Sequence, residues 1–177
     1  MKRTSLLLLL LVTTVVLLAP PSLAAAKEGG PAPKASGNVV SEVLTGDLIG
    51  IRTMVFNAQG TLTEAKGHIS FTLAWPPTSF LRTFEGEVTG FWQEGNRAAF
   101  RGVMTAQTGY SADDPPTHFA VRVEDNGQGS KATGPDRFMS FFGWTEADDE
   151  FLTDWEAAPW PFSTYWVPVT SGNLVVH

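Results

Sequence analysis

Polar and apolar side chains alternate between His68 and Trp75, and this alternation constrains the fold more than any other feature of the sequence. The apolar members are Ile69, Phe71, Leu73 and Trp75, and the polar members are His68, Ser70 and Thr72. Successive side chains of a β-strand point to opposite faces, so a period of two predicts a strand that is buried on one face. Pro76 and Pro77 follow, and proline cannot donate to a strand ladder, so we expect the strand to end there.

Shorter stretches with the same period lie on both sides of this one. The other expected strands are residues 39–44, 49–56, 80–92, 98–105, 118–124, 137–142 and 173–176. A bulge is expected in residues 80–92, at Gly86 or Gly90. Residues 146–158 are the best candidate for a helix, and their 3.6-residue period is weak. About eight to nine short strands predict a single-domain all-β fold, either an antiparallel sandwich or a barrel.

The first 26 residues have the three parts of a secretory signal peptide. Lys2 and Arg3 precede an apolar run at residues 6–18, and small residues surround a cleavage position after Ala26. The run is shorter than the ~20 residues that span a bilayer, which argues against a permanent anchor. We expect a secreted, extracellular protein with a signal peptide at 1–26, a disordered Gly- and Pro-rich tether at 27–37 and an all-β domain at 38–177.

Composition excludes several classes of function. The chain has no cysteine, so disulfides, thiolate zinc sites and a cysteine nucleophile are excluded. The formal net charge is -6, which indicates no nucleic-acid partner, because such proteins need clustered lysine and arginine. No second long apolar run follows the leader, so no stable membrane insertion is expected after its cleavage. Residues 113–177 carry eleven acidic and three basic side chains, which suits either cation binding or simple solubility.

The sequence contains little that indicates a catalytic site. The three histidines, His68, His118 and His177, have no motif context, and neither a G-x-S-x-G turn nor a phosphate-binding loop occurs. Glu85 and Glu87 would share one strand face, and paired carboxylates can hydrolyse glycosides when they flank a cleft. We therefore expect no enzyme, with a small secreted hydrolase as the least favoured alternative.

Several short motifs resemble one family. Residues 119–129 read FAVRVEDNGQG, residues 134–138 read GPDRF, and the chain ends in SGNLVVH at residues 171–177. Residues 55–58 (VFNA) and 67–71 (GHISF) agree more loosely. In this order the motifs resemble the post-COAP type of secreted bacterial β-domain, over about residues 47–142 plus the end of the chain. The resemblance implies a small extracellular β-domain with no established enzymatic role. Residues 130–133 and 144–169 depart from the family pattern.

The loop between residues 125 and 136 is rich in oxygen ligands. Asp125, Asn126 and Asp136, with Gln128 between them, lie among glycines, and hard side-chain and carbonyl oxygens are the ligands of calcium. Asp and Asn before glycine also make tight turns without any metal. A calcium site and a metal-free turn are therefore both possible here.

Aromatic residues crowd the segment from residue 144 to residue 166. Its tryptophans are Trp144, Trp155, Trp160 and Trp166, interleaved with carboxylates. Such rings could bind a carbohydrate or an apolar small molecule, or they could plug an open end of the sheet. Under the second interpretation we expect Trp144 and Trp166 to be the more buried. The sequence thus predicts a secreted non-catalytic binding or surface-interaction module, with a ligand-binding barrel under an aromatic lid as the alternative.

Overall fold

The computed structural model describes residues 32–45, 48–76, 78–127, 132–155 and 166–177. All of them belong to one unit of the chain, Ala32–His177. The expected signal peptide, tether residues 27–31, Gln128 and Trp160 lie outside the described residues. Among the described residues, no helix is both long and apolar enough to cross a membrane.

The described residues form an almost entirely β structure, with nine antiparallel strands in one curled half-barrel sheet. The strands are β1 (Lys34–Thr45), β2 (Leu48–Gly60), β3 (Ala65–Trp75), β4 (Phe80–Glu94), β5 (Arg97–Thr108), β6 (His118–Glu124), β7 (Arg137–Gly143), β8 (Val167–Pro168) and β9 (Ser171–Val176), and the helix is α1 (Asp149–Thr153). Their order across the sheet is β8-β7-β6-β5-β4-β3-β2-β1-β9. The all-β prediction is confirmed, and the architecture is one curled sheet.

The last strands connect the two edges of the sheet. β8 pairs with β7 and β9 pairs with β1, yet only two residues separate β8 from β9. Val169 N donates to Asp136 O at 2.8 Å, and Thr170 N donates to Val40 O at 2.8 Å. The sheet must curl for one short segment to reach both edges.

Most strand predictions agree with the structure, and the deviations occur at strand ends. Ile69 and Phe71 are buried while His68 is exposed, as the alternation predicts. The register shifts between Glu85 and Gly86 and again between Val88 and Gly90, so the expected bulge is confirmed. β1 begins at Lys34, so residues 34–37, expected in the tether, belong to the sheet. Residues 57–60, beyond the expected strand end at residue 56, extend β2, and β8 was not predicted.

The inner face of the curled sheet holds the main core. Its rings stack closely: the centroids of Phe56 and Phe100 are 5.0 Å apart, and those of Phe71 and Phe84 are 5.2 Å apart. Other fully buried members of this cluster are Val39, Met54, Ile69, Phe91, Val121, Phe138 and Leu174. Each such side chain contributes about 1.5–3 kcal/mol through burial, so this face provides most of the apolar stabilisation.

A second, smaller cluster lies on the outer face and contains the only regular helix of the described residues. The side chain of Asp148 accepts from Phe151 N at 2.8 Å and caps the N-terminus of α1. Phe151 and Leu152 pack with outward-facing sheet residues, namely Ala99, Ala120, Met139 and Phe141. The weak helical period at residues 146–158 therefore corresponds to five helical residues that cover the outside of the sheet.

Candidate functional site

A cavity of about 330 Å³ opens at one end of the inner face, and we call it the mouth cavity. It is lined by Arg82 of β4, Ser140 and Phe142 of β7, Trp144, and the loop residues Tyr110, Ser111, Asp114 and Pro116. Strand alternation explains the lining. Arg82 lies two residues before the buried Phe84, and Ser140 lies two residues after the buried Phe138, so both belong to the inner face.

Aromatic rings form the floor of the mouth cavity. The ring centroid of Phe142 lies 5.0 Å from that of Phe71 and 4.9 Å from that of Phe84, both in edge-on arrangements. Phe142 is only half-buried although it packs against the main core. The cavity therefore offers an apolar surface that continues the core, which is where an apolar ligand could dock.

Arg82 is held at the wall of the cavity by its own chain. Its Nε donates to Gly109 O at 3.3 Å, and its guanidinium carbon lies 4.9 Å from the Phe80 ring centroid and 5.1 Å from that of Tyr110. Gly109 has φ +81, and a Cβ there would lie 2.0 Å from Leu81 O. Only glycine fits at this position, so Gly109 keeps the loop and its carbonyl close to Arg82.

Tyr110 and Trp144 complete the rim. Burial raises the pKa of the Tyr110 phenol, and the nearby Arg82 charge opposes part of that effect, so the phenol is protonated at neutral pH and can donate a hydrogen bond. The indole Nε1 of Trp144 donates to Asp114 O at 3.4 Å. Trp144 is 49% exposed, so the expectation that it is among the more buried tryptophans is wrong. Its side chain lies against the loop before β6, at the rim of the cavity, instead of filling the core.

Arg52 shares the inner face with this end of the sheet. Its strand neighbours in register are Ser41 of β1 and Leu73 of β3, and Leu73 is in turn opposite Arg82. Arg52 is only 8% exposed, and burial lowers its pKa. The period of two in residues 49–56 places Arg52 on the same face as Met54 and Phe56, but it does not say which face is the core.

The second candidate is an outer arginine–tryptophan cluster on the opposite face of the sheet. It comprises Trp92, Trp155, Trp166, Arg97, Arg122 and Arg137 around Glu124. Ring centroids lie 5.8 Å apart for Trp92 and Trp155 and 5.5 Å apart for Trp155 and Trp166. Arg137 lies 4.7 Å from the Trp166 ring. Burial opposes ionisation of Glu124, yet its hydrogen bonds to Arg137 and Arg97 and their charges outweigh this and lower its pKa.

Arg122 is the centre of the outer cluster, and its donors are used by the chain itself. It is 1% exposed, its Nε donates to Phe151 O at 3.0 Å, and its Nη2 donates to Phe151 O at 2.5 Å and Asp154 O at 2.8 Å. The last carbonyls of a helix lack intrahelical donors, so Arg122 caps α1 and fastens residues 148–154 to the sheet. Burial lowers its pKa, and the charge of Asp154 partly opposes this.

Of the predicted ligand-binding tryptophans that the structure describes, Trp155 and Trp166 lie together and Trp144 lies apart from them. Trp144 lines the mouth cavity, whereas Trp155 and Trp166 are half-buried in the outer cluster. Trp155 and Trp166 therefore cover the outside of the sheet rather than plug its inner face. The binding role predicted for the four tryptophans stays a prediction, and Trp160 lies outside the described residues.

The residues predicted to hold calcium make hydrogen bonds to the main chain, and most of these bonds lie within their own loop. Asp125 accepts from Gly127 N at 2.9 Å through Oδ1 and from Val176 N at 3.2 Å through Oδ2. Asp136 Oδ1 accepts from Asn126 N at 2.8 Å, and Asn126 Nδ2 donates to Pro135 O at 2.8 Å. Burial raises the pKa of Asp136, the Asn126 hydrogen bond opposes this, and the Asp125 charge adds to it. In the described ranges, no three His, Asp or Glu side chains are grouped to hold a metal, and calcium stays a prediction.

The carboxylates considered for hydrolysis lie on the outer face of β4. His68 Nε2 is 2.6 Å from Glu85 Oε2, and both side chains are about half exposed. Glu87 is exposed and opposite His68 in register. Two carboxylates on one exposed strand face do not flank a cleft, which is what glycoside hydrolysis requires. This pair therefore does not favour the hydrolase alternative.

A larger depression of about 460 Å³ lies at the other end of β1–β3. Its lining includes Lys34, Asn57 and Lys66, and no aromatic ring is among its described lining residues. It therefore lacks the apolar floor of the mouth cavity, which we regard as the better candidate site. The chain matches no family model, no curated protein and no solved structure.

Proposed function

We propose that this chain is a secreted, non-catalytic binding protein that holds a small ligand with an apolar or aromatic body in the mouth cavity. The observation that carries the proposal is the cavity of about 330 Å³ at the end of the inner face, with Phe142 as its floor and Arg82 and Tyr110 at its wall. Binding sites for small molecules are concave and mostly apolar, with a few placed polar groups, and begin at about 300 Å³.

This proposal develops the barrel alternative rather than the flat binding surface. A surface module would need its aromatic rings exposed together on one face. Here Trp155 and Trp166 are half-buried against the outer face, while Trp144 belongs to the cavity rim. In the barrel alternative, the aromatic segment 144–166 forms a lid over the ligand. Residues 156–165 of this segment lie outside the described residues, and the proposal does not depend on them.

A fluorescence titration with the neutral probe N-phenyl-1-naphthylamine tests the proposal, because the probe becomes fluorescent in an apolar site. We expect saturable binding that Trp144→Ala weakens, since Trp144 lines the cavity. Trp166→Ala is the matched control, because it removes the same side chain from the outer cluster. Absence of saturable binding would overturn the proposal, as would loss of binding in Trp166→Ala with Trp144→Ala unaffected.

Export is the part of the proposal that rests on the leader alone. The basic residues, the apolar run and the small residues before position 27 support cleavage and secretion. N-terminal sequencing of the protein from its native host should find a start near Lys27 in the extracellular fraction. Retention of Met1 would contradict export by this route.

A further inference from the structure

Exposed apolar side chains are concentrated at one end of the sheet. Among the described residues, six large hydrophobic side chains are exposed, and five of them lie at the end where the mouth cavity opens, namely Ile49, Ile51, Phe80, Leu81 and Trp144. The first pair lies near the start of β2, the second pair begins β4, and the tryptophan follows β7. In this antiparallel sheet those three positions share one end. Clustered apolar exposure of this kind marks an interaction surface.

The hairpin between β3 and β4 is the most apolar part of this end. We call residues 75–81 the β3–β4 tip. Their sequence is WPPTSFL, which contains no charged residue, and Pro77 lies outside the described residues. The ring centroids of Trp75 and Phe80 are 4.9 Å apart in an edge-on arrangement. A Cβ at Gly50 would lie 2.9 Å from the Trp75 ring, so the glycine of β2 lets this ring pack closely against the strand.

The β3–β4 tip is apolar on both faces of the sheet. By strand alternation, Trp75 and Phe80 share the inner face with the buried core residues of β3 and β4. Leu81 belongs to the outer face, where it is in register with Ala74, and Ala74 is in register with Ile51. A tip with two apolar faces is suited to a medium that surrounds it, because a flat partner would cover only one of them.

The polar groups at the turn of the tip bond to one another. Thr78 N donates to Trp75 O at 2.8 Å, and Thr78 Oγ1 donates to the same oxygen at 3.0 Å. Thr78 Oγ1 also accepts from Phe80 N at 3.1 Å. Backbone groups that lose water without another partner make contact with lipid costly. The bonds around Thr78 remove part of this cost, so the tip can leave water more easily than an open loop.

A cation lies directly behind the apolar tip. Arg82 is the first charged residue after residues 75–81, and its guanidinium carbon lies 4.9 Å from the Phe80 ring centroid and 5.1 Å from that of Tyr110. Arginine beside aromatic rings is typical of the level of lipid headgroups, where the charge faces phosphate and the rings face the acyl chains. The order of apolar tip, aromatic rings and cation therefore matches the order of layers in a bilayer.

Acidic residues at the same end decide which lipid surface fits. Glu42 is exposed and in register with Ile51, and Asp113 and Asp114 are exposed on the loop before β6. These carboxylates repel a negatively charged membrane, whereas a zwitterionic surface offers both signs of charge. The charges around the tip therefore favour a zwitterionic bilayer.

We infer that the β3–β4 tip, together with Ile49 and Ile51, docks reversibly on the surface of a zwitterionic lipid bilayer. The contact is peripheral, because only a few side chains enter the headgroup region and the binding strength scales with the apolar area that they bury. It therefore differs from stable membrane insertion. The inference goes beyond the proposed function and does not depend on a ligand in the mouth cavity.

Cosedimentation with phosphatidylcholine vesicles, without any probe ligand, tests the inference. We expect the wild-type protein to partition onto the vesicles and Leu81→Asn to lower the partition coefficient roughly tenfold. Leu81 is 48% exposed, and burial of the remaining surface of a leucine corresponds to about that factor. High salt should leave the binding unchanged, because the contact is mainly apolar. Absence of binding by the wild type, or its loss in high salt, would overturn the inference.

Val55→Asn is the matched control. Val55 is the sixth exposed large hydrophobic residue, is 46% exposed, and lies on the outer face of β2 farther from the tip. Its replacement should leave the partition coefficient unchanged, and a loss equal to that of Leu81→Asn would contradict docking through the tip. Should Leu81→Asn not fold, Ile51→Asn is the second variant and should also weaken binding. All variants share one N-terminus, so residues 1–26 contribute no difference between them.

Two further measurements separate this surface from other occupants. Phosphatidylserine mixed into the vesicles should not strengthen binding, and a tenfold increase would overturn the zwitterionic surface. In sedimentation velocity without lipid, the wild type and Leu81→Asn should have the same mass. A wild-type dimer that Leu81→Asn dissociates, with vesicle binding unchanged, would show an interface between two copies of the chain and overturn lipid docking.

Discussion

Arg122 and Arg52 are both buried arginines of one sheet, on opposite faces, and their surroundings differ. Arg122 is 1% exposed and donates to two main-chain carbonyls of the segment that contains α1. It also lies 4.3 Å from the Phe151 ring centroid. Arg52 is 8% exposed and has two nitrogens without a partner among the described residues. Burial lowers the pKa of both.

The difference shows how the chain uses a buried cation in two ways. On the outer face, the chain supplies carbonyls and rings to Arg122, so this arginine fastens one segment to the sheet. On the inner face, Arg52 has two donor nitrogens without a partner among the described residues. A buried polar group with all its hydrogen bonds stabilises the fold, whereas one that lacks them costs free energy.

Arg122→Met should give the largest loss of stability. The substitution removes the Arg122 donors from Phe151 O, which is buried, and from Asp154 O, which is partly buried. An unsatisfied buried acceptor costs about 1–3 kcal/mol. We expect the free energy of unfolding to fall by about 2–5 kcal/mol in urea melts, with faster proteolysis near residue 150. A loss below about 0.5 kcal/mol, the range of surface substitutions, would show that the outer cluster does not fasten this segment.

Glu124 should contribute an intermediate, pH-dependent part of the stability. Its folded pKa lies below the usual 4.5, so its contribution is present above pH 4.5 and is lost as pH falls through the folded pKa. Glu124→Gln should cost roughly 1–2 kcal/mol at pH 7 and little at acidic pH. Urea melts at several pH values measure this difference, and a cost that does not decrease toward acid would contradict the assigned ion pairs.

Arg52→Met should change stability in the opposite direction and by less. Arg52 has no ion-pair partner among the described residues. Replacing such a buried charge by an apolar side chain of similar length removes a desolvation cost, so we expect a gain of about 1 kcal/mol. The same urea melts as for Arg122→Met make the comparison direct. If Arg52→Met and Arg122→Met lose similar amounts of stability, the contrast between the two arginines is wrong.

Calcium should have the smallest effect. Three of the four carboxylate oxygens of Asp125 and Asp136 accept hydrogen bonds from main-chain N–H groups. The polar groups of this loop, like the donors of Arg122, therefore have partners within the chain. We expect no shift of Tm when calcium is added after chelation. A ligand that binds only the folded state raises Tm by mass action. An increase that Asp125→Ala and Asp136→Ala abolish would establish the calcium site instead.

The class of the fold could be predicted from local patterns in the sequence. Local alternation decides which residues form strands and which side chains share a face, as for residues 68–75 and for Arg52, Met54 and Phe56. The bulge near Gly86 and Gly90 was also readable, because glycine within a strand is a local signal. Strand ends were less accurate, since pairing with a neighbour extends a strand into residues such as 34–37 and 57–60 that have no apolar period.

The tertiary structure alone decided which face is inside and which residues meet. Alternation cannot say whether the face with Arg52 points inward, because that depends on how the whole sheet curls. The mouth cavity joins Arg82 to Ser140 and Phe142, which lie three strands away in the sheet order, and no local pattern encodes that approach. The tryptophans separate into a rim residue and an outer cluster for the same reason: their positions follow from long-range packing, which sequence spacing does not contain.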